Sequence, residues 1–213
     1  MKAPLTPSSD CPLCPRLAAF RRDNRKKHPD WFNAPVPCFG PRTARLAIAG
    51  LAPGLQGANR TGRPFTGDWA GDLLYETLLK LKLAKGSYEE RADDTLELID
   101  CRIVNSVRCV PPQNKPEPSE IRTCRQFLIS ELDGMPNLNT ILALGKIAHD
   151  SVLKTLDARI SAHPFKHGAV YEIGKFRLIS SYHCSRYNTN TGVLTTEMFE
   201  TVVAKAKKLA AIA

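Results

Sequence analysis

Residues 50–68 of the chain read GLAPGLQGANRTGRPFTGD. They follow a short apolar run at 46–49, which is typical of a buried strand, and precede apolar residues at helical spacing that begin with Trp69. The pattern predicts a loop leaving the carboxyl end of a strand, followed by a helix whose apolar stripe, Trp69 included, faces the core. Open α/β sheets bind ligands at such loops, and five glycines let the backbone approach a planar ligand. We therefore expect the active site here.

A P-loop is one alternative for this stretch. Gly57 and Gly62 have the P-loop glycine spacing, but Arg63 and Pro64 stand where Lys and Ser or Thr would bind phosphates and magnesium. This substitution disfavours a nucleotide triphosphatase. An ordinary glycine-rich turn is the other alternative, although a loop of this length inside a domain usually carries function.

Composition limits the class of protein. The 213 residues include 30 Lys and Arg against 21 Asp and Glu, which leaves a net charge of +9 and favours a polyanionic partner. The length suits one domain spanning residues 1–213. Because no apolar run approaches the length of a membrane span or of a signal-peptide core, we expect a cytoplasmic protein without membrane contact.

The remaining apolar runs predict an α/β fold. Strands are expected at 98–105, 139–144, 170–173 and 176–181, and helical patterns lie between most of them. Strands that alternate with helices predict a mostly parallel sheet with helices on both faces.

Seven cysteines in a chain without a signal peptide argue against a disulfide framework. Cys11 and Cys14 form a C-x-x-C motif between prolines, which can direct both sulfurs at one ion. Cys109 and Cys124 are a weaker pair, because isolated cysteines are most often small buried hydrophobic residues. Metal ligands and buried thiols both remain open on spacing alone.

Two further stretches carry candidate functional residues. His183 ends an apolar strand and begins a polar loop, where it could donate a hydrogen bond to a developing anion or be a structural histidine. Arg186 and Tyr187 follow it, a pairing that suits nucleic-acid chemistry. The basic run at 21–28 is either a solvated face or a guide for a phosphate backbone.

Together these motifs resemble the uracil-DNA glycosylases, specifically the type B, broad-specificity branch of the iron-sulfur-containing group. The first motif is residues 50–54 with 57–63 and 65–68. The second is His183 with Ser185, Asn188, Thr191, Gly192, Leu194 and Thr195. Asn105 with residues 108–116 and Cys124 resembles the cluster loop of that group. The resemblance runs from Cys11 to about Thr195. It implies a three-layer α/β/α domain around a mostly parallel, four-stranded sheet.

The resemblance also implies a role for each motif residue. The base pocket would comprise Gly50, Leu51, Ala52, Gly54, Phe65 and Asn105, with Phe65 stacking on the base and Asn105 reading its polar edge. The DNA contacts would be Asn59, Arg60, Ser185, Arg186, Tyr187 and Asn188, with Tyr187 filling the vacated stack. A structural [4Fe-4S] cluster would be held by Cys11, Cys14, Cys109 and Cys124.

The implied chemistry is hydrolysis of an N-glycosidic bond after the nucleotide is flipped out of the duplex. His183 would stabilise the negative charge that develops on the base, and water would attack the sugar. Asp68 would activate that water or would cap the helix that follows it, and both interpretations remain open. Leu51 stands where related branches carry a polar residue, and Cys184 stands where a proline is common.

The expected function is therefore a monomeric DNA repair glycosylase that removes uracil, and other deaminated bases such as hypoxanthine, to leave an abasic site. A non-catalytic DNA-binding module with a structural metal site is the main alternative. A phosphate-binding metabolic enzyme that uses the glycine loop is another.

Overall fold

A computed structural model describes residues 4–212 of the chain. The helices are α1 (Pro15–Lys27), α2 (Ala58–Thr61), α3 (Trp69–Lys80), α4 (Pro118–Asp133), α5 (Lys146–Thr155), α6 (Arg186–Asn190) and α7 (Thr196–Leu209). The strands are β1 (Leu46–Gly50), β2 (Ala84–Lys85), β3 (Glu97–Leu98), β4 (Cys101–Asn105), β5 (Thr140–Leu144), β6 (Val170–Ile173) and β7 (Phe176–Ser181).

The central sheet has five strands in the order β4-β1-β5-β7-β6. The first four are mutually parallel, which confirms the predicted mostly parallel sheet. The fifth, β6, pairs antiparallel with β7, because the turn at Gly174 (φ +56°) folds it back as a hairpin. The sheet thus has one more strand than the four that the resemblance implied.

Helices cover both faces of this sheet, as expected. Alternate strand side chains such as Ile48 and Leu142 pack in the cluster with α3 and α7, whereas Ala47 and Ile141 pack in the cluster with α4 and α5. Since successive side chains of a strand point to opposite faces, strands buried on both sides must be apolar throughout. This explains why the sequence predicted the strands of the central sheet as continuous apolar runs.

The predicted strand at 98–105 is interrupted. Asp100 has a positive φ of +53°, so residues 97–98 instead pair with β2 in a separate two-stranded ribbon. The strand of the main sheet begins only at Cys101 and still ends at Asn105.

The carboxyl ends of β1, β4, β5 and β7 meet at one edge of the sheet. Gly50 at the end of β1 lies in register with Asn105 at the end of β4. Parallel α/β sheets place their ligand sites at this edge. Within residues 4–212, the structure contains no helix both long and apolar enough to cross a bilayer.

Candidate active site

A cavity of about 420 Å³ opens at this edge of the sheet. It brings together residues from three separate sequence motifs: the glycine loop, the end of β4 and the loop after β7. The predicted residues that line it are Leu51, Ala52, Gly54, Phe65, Asp68, Asn105, His183, Ser185 and Arg186.

Phe65 forms one wall of the cavity in a strained backbone conformation. Its φ is +53°, a region that few bulky residues adopt, and only 8% of its surface is exposed. Its ring stacks towards His183, with ring centroids 6.0 Å apart and planes inclined at 28°. Strained residues persist where the surrounding structure fixes them, and they concentrate at functional sites.

Gly50 lies behind the wall, outside the cavity lining. A Cβ atom there would stand 2.5 Å from Asn105 Oδ1 and 3.0 Å from the Phe65 ring. Any side chain at position 50 would therefore displace the two residues predicted to hold the base.

Asn105 offers a hydrogen-bond acceptor that the protein does not use. The residue is 4% exposed, and its buried Oδ1 has no hydrogen-bond partner within residues 4–212. Leaving such a group unpaired costs about 1–3 kcal/mol, so native proteins rarely do it without a reason. A ligand that presents an N–H group to the cavity would satisfy this oxygen.

The surroundings of His183 favour the neutral form of its imidazole. Burial lowers its pKa below the ordinary value, and the nearby negative charge of Asp68 only partly opposes that shift. The neutral ring has one N–H donor and one acceptor nitrogen. A local hydrogen bond stabilises the loop after β7: Asn188 Nδ2 donates to the His183 carbonyl oxygen over 2.8 Å.

Asp68 caps α3 with one carboxylate oxygen and turns the other towards the glycine loop, while its role as a water activator stays a prediction. Oδ1 accepts a hydrogen bond from the Gly71 amide (3.2 Å), which caps α3. Oδ2 points at the glycine loop, where a Cβ at Gly54, a residue of the cavity lining, would lie 3.0 Å from it. The second oxygen therefore lies at the cavity.

The other predicted DNA contacts differ in their exposure. Tyr187 is 74% exposed on the short helix α6, and the Ser185 hydroxyl caps that helix by accepting from the Asn188 amide (3.4 Å). Arg60 is also exposed. Asn59 is not: it is 1% exposed, and its Nδ2 donates to Asn33 Oδ1 (2.8 Å), so its side chain lies beneath the surface.

Five residues of the lining were not predicted as site residues, and two of them, Trp69 and Asn114, carry polar side-chain atoms. Trp69, expected in the core, is 48% exposed and borders the cavity. Its Nε1 donates to Thr189 Oγ1 (3.0 Å), and the Arg186 guanidinium lies 5.7 Å from its ring centroid. The other is Asn114, whose Oδ1 accepts from the Leu55 amide (3.3 Å). The position of Trp69 at the first turn of α3, beside the glycine loop, was the available signal.

The four predicted metal ligands converge on a second hollow, away from the base cavity. Cys11 and Cys14 meet Cys109 and Cys124 there, with apolar side chains around them. Two donors point at the sulfurs: Arg21 Nη1 lies 3.3 Å from Cys109 Sγ, and the Arg108 amide lies 3.4 Å from Cys124 Sγ. Donors of this kind stabilise thiolates and tune iron-sulfur clusters.

Over residues 4–212, no three His, Cys, Asp or Glu side chains converge on a point where a single metal ion could bind. Each thiolate of a [4Fe-4S] cluster binds a different iron, so its ligands need not converge on one point. The donor set, four cysteines around one apolar hollow with hydrogen-bond donors to sulfur, therefore fits such a cluster.

The basic run at 21–28 does not form one face. Arg21 is 3% exposed at the cysteine hollow, and Arg25 is tied to Asp10 and to the Asn33 carbonyl oxygen (2.9 Å). Arg22, Lys26 and Lys27 are the exposed cations of the run.

Comparison with known proteins identifies the family of the chain. Residues 37–207 match the family model described as Uracil DNA glycosylase superfamily. The type-5 uracil-DNA glycosylase of Thermus thermophilus is 46% identical over 95% of this chain and 94% of its own length. The type-5 enzyme of Pyrobaculum aerophilum is 38% identical over 92% of this chain and 88% of its own.

A type-4 uracil-DNA glycosylase of Archaeoglobus fulgidus is 30% identical over 70% of this chain and 69% of its own length. The chain is thus more similar to the type-5 proteins than to this type-4 protein. The match to the family model and the extent of these similarities confirm the resemblance drawn from the motifs: the chain belongs to the uracil DNA glycosylase superfamily.

Proposed function

We propose that this protein excises uracil from DNA by hydrolysing the N-glycosidic bond and leaves an abasic site. The observation that carries the proposal is the unpaired Asn105 Oδ1, buried in a cavity with Phe65 and His183. The names of the relatives support it.

Recognition follows from the hydrogen-bonding pattern of the base. Uracil presents an N–H between two carbonyl groups, and this donor would pair with Asn105 Oδ1 while the ring stacks on Phe65. Cytosine has an unprotonated nitrogen at that position and would leave the oxygen unpaired. Hypoxanthine carries an N–H beside a carbonyl, as uracil does, so we extend the proposal to deaminated purines.

Cleavage sends the bonding electron pair of the C–N bond to the base and leaves positive charge on the sugar. The N–H of neutral His183 would donate to the base oxygen on which negative charge grows; such a preorganised donor is worth about 2.7–4 kcal/mol. Asp68 Oδ2 would accept a proton from the water that attacks the anomeric carbon. The released base then takes up one proton.

The rim supports DNA as the partner. Arg186 lines the cavity, and the exposed Tyr187 that follows it in the chain could occupy the space left by the flipped base. One chain supplies the whole lining, so we propose a monomer. All seven cysteines are free, which fits the reducing cytoplasm.

We also propose that Cys11, Cys14, Cys109 and Cys124 hold a structural [4Fe-4S] cluster. When bound, the cluster would link the N-terminal segment to the loop after β4 and to α4. Protein purified anaerobically should contain iron and sulfide, and Cys124→Ala should lower the soluble yield more than Cys101→Ala, whose thiol lies elsewhere in the core. Stoichiometric zinc without sulfide would refute this assignment.

The glycosylase proposal is tested by single-turnover cleavage of a uracil-containing duplex, followed by alkaline scission at abasic sites. Wild type should cleave, and His183→Ala should be slower by about 10²–10³-fold. Asn105→Ala should slow excision of uracil and of hypoxanthine. Iron-loaded wild type that binds the duplex but leaves every glycosidic bond intact would instead identify a non-catalytic DNA-binding module.

A further inference from the structure

A second cleft of about 280 Å³ lies between α4 and α5, outside the base cavity. Pro116, Pro118 and Ile121 line one wall, and Ile147, 51% exposed on α5, lines the other. No step of the proposed reaction uses this cleft.

The cleft collects buried polar atoms that lack partners. Within residues 4–212 the structure has nine such side-chain atoms, and three of them belong to the cleft residues Arg125 (Nε), Asp150 (Oδ1) and Ser151 (Oγ). Ser151 is only 2% exposed. Because each unpaired buried group costs free energy, three at one place indicate a site completed by a polar ligand.

The charge of the cleft favours an anion. Arg122, Arg125 and Lys154 line it, and none of the three takes part in a salt bridge within the described residues. Asp150 is the opposing charge, but its Oδ2 accepts a 2.5 Å hydrogen bond from Lys146 Nζ. The cleft therefore has a net positive charge.

Both walls of the cleft begin at the active site. Asn114, which lines the base cavity, is two residues before Pro116 on the first wall. On the second wall, Gly145 precedes α5, and a Cβ built on it would lie 3.4 Å from His183 Cβ. A strand whose flipped nucleotide occupies the base cavity can thus continue directly into the cleft.

We propose that the cleft between α4 and α5 binds the phosphodiester backbone of the DNA strand beside the excised nucleotide. This inference rests on the proposed glycosylase function and extends its DNA contacts. Phosphate oxygens accept from Arg125 Nε and the Ser151 hydroxyl, with Arg122 and Lys154 at the cleft mouth. The exposed Ile147 side chain packs against the adjoining sugar, and the free oxygen of Asp150 accepts from a base amino group or a bridging water.

The test compares two double variants that remove the same charge. Arg122→Gln/Lys154→Gln removes two exposed cations of the cleft, whereas Lys175→Gln/Lys208→Gln removes two exposed cations at the opposite end of the sheet. Affinity for a duplex with an abasic-site analogue is measured from low to high salt. The cleft variant should reduce the log-log salt slope by about 1.8, because each phosphate that the protein no longer neutralises lowers the slope by about 0.9, and the control should reduce it far less.

Ser151→Ala separates direct hydrogen bonding from general electrostatics, since it changes no charge. It should weaken binding severalfold at fixed salt without changing the slope, and single-turnover excision by the control variant Lys175→Gln/Lys208→Gln should stay near wild type. Equal slopes for the two double variants, together with an inert Ser151→Ala, would overturn the inference while leaving excision untouched. Conversely, if the cleft variant showed a reduced salt slope although the wild-type protein excised no base, that result would support DNA binding by the cleft and would reject the glycosylase function.

Discussion

At the scale of single residues, Asp68 has one role that the structure shows, as a helix cap, and one that we propose, as a base. Its Oδ1 caps α3 and its Oδ2 points at the glycine loop, so the two roles can be removed separately. Asp68→Asn keeps an oxygen for the cap but removes the carboxylate base. We expect single-turnover excision to slow by about 10²–10⁴-fold for every base, because the attacked sugar carbon is common to all, with little change in melting temperature.

Two further substitutions control for the loss of a cap. Asp68→Ala removes both roles and should cost about 1 kcal/mol of stability in addition to the rate. Thr195→Ala removes the equivalent cap of α7, where Thr195 Oγ1 accepts from the Met198 amide (3.1 Å), and should lower stability alone. If Asp68→Asn excised bases at the wild-type rate, Asp68 would be only a helix cap. The attacking water would then be held by carbonyl groups of the glycine loop.

At the scale of elements, the strained segment around Phe65 is held from behind by residues 87–96. Arg63 makes two 2.6 Å hydrogen bonds to Asp94, with both side chains almost fully buried, and its Nε donates to Thr66 Oγ1 (2.8 Å). The Tyr75 hydroxyl donates to the Pro64 carbonyl oxygen (2.5 Å). Burial alone would raise the pKa of Asp94, but hydrogen bonds from Arg63 and two backbone amides hold it at about 2.

Asp94→Asn should therefore destabilise the protein strongly and disturb the base cavity. It leaves the Arg63 guanidinium buried without its counter-charge, a change that typically costs about 3–5 kcal/mol. The KM for uracil duplexes should rise, since the backbone of Phe65 is then no longer firmly fixed. Denaturant unfolding and steady-state kinetics measure the two effects. Glu97→Gln, which breaks the exposed Lys85–Glu97 pair, should cost at most about 1 kcal/mol and leave KM unchanged.

Elements that depend on local sequence could be predicted, whereas features that depend on contacts between residues distant in sequence could not. The parallel strands could be predicted because burial on both faces makes them apolar throughout. The helical period predicted that Trp69 lies in the core. Periodicity alone cannot show that the first turn of α3 faces the mouth of the base cavity. Asn59 is paired with Asn33, twenty-six positions earlier, and Arg63, two residues before the left-handed Phe65, is paired with Asp94, thirty-one positions later. No local pattern encodes such long-range pairings.

At the scale of the whole molecule, the fold gathers its polar features at one end of the sheet. The base cavity and the α4–α5 cleft both lie where parallel strands end and helices begin. Polar groups buried in this fold are shielded from solvent, and the histidines show the consequence. Burial lowers the pKa of His149, His167 and His183 below the ordinary value.

These histidines should make the fold sensitive to acid. A histidine whose pKa is lower in the folded state than in the unfolded chain is protonated first in the unfolded chain. Such a histidine therefore has no effect on the free energy of unfolding at pH values well above its ordinary pKa of about 6.5. Below that pH it lowers the free energy of unfolding, by up to about 1.4 kcal/mol per pH unit for each histidine. The free energy of unfolding should fall between about pH 7.5 and 5.5.

His149 should account for a distinct part of this fall. It is fully buried, and its ring nitrogens hydrogen-bond with Ser180 Oγ (2.7 Å) and the His163 carbonyl oxygen (2.8 Å), so a proton added there enters a site closed to water. His149→Gln removes the titrating group but keeps a polar side chain. Its unfolding free energy should be lower than that of wild type at pH 7.5 and should decline less steeply towards pH 5.5. Urea unfolding of both proteins at equal iron content, so that any acid loss of the cluster is common to them, measures the two slopes. Parallel slopes would mean that His149 keeps an ordinary affinity for protons and that the acid sensitivity arises at other groups.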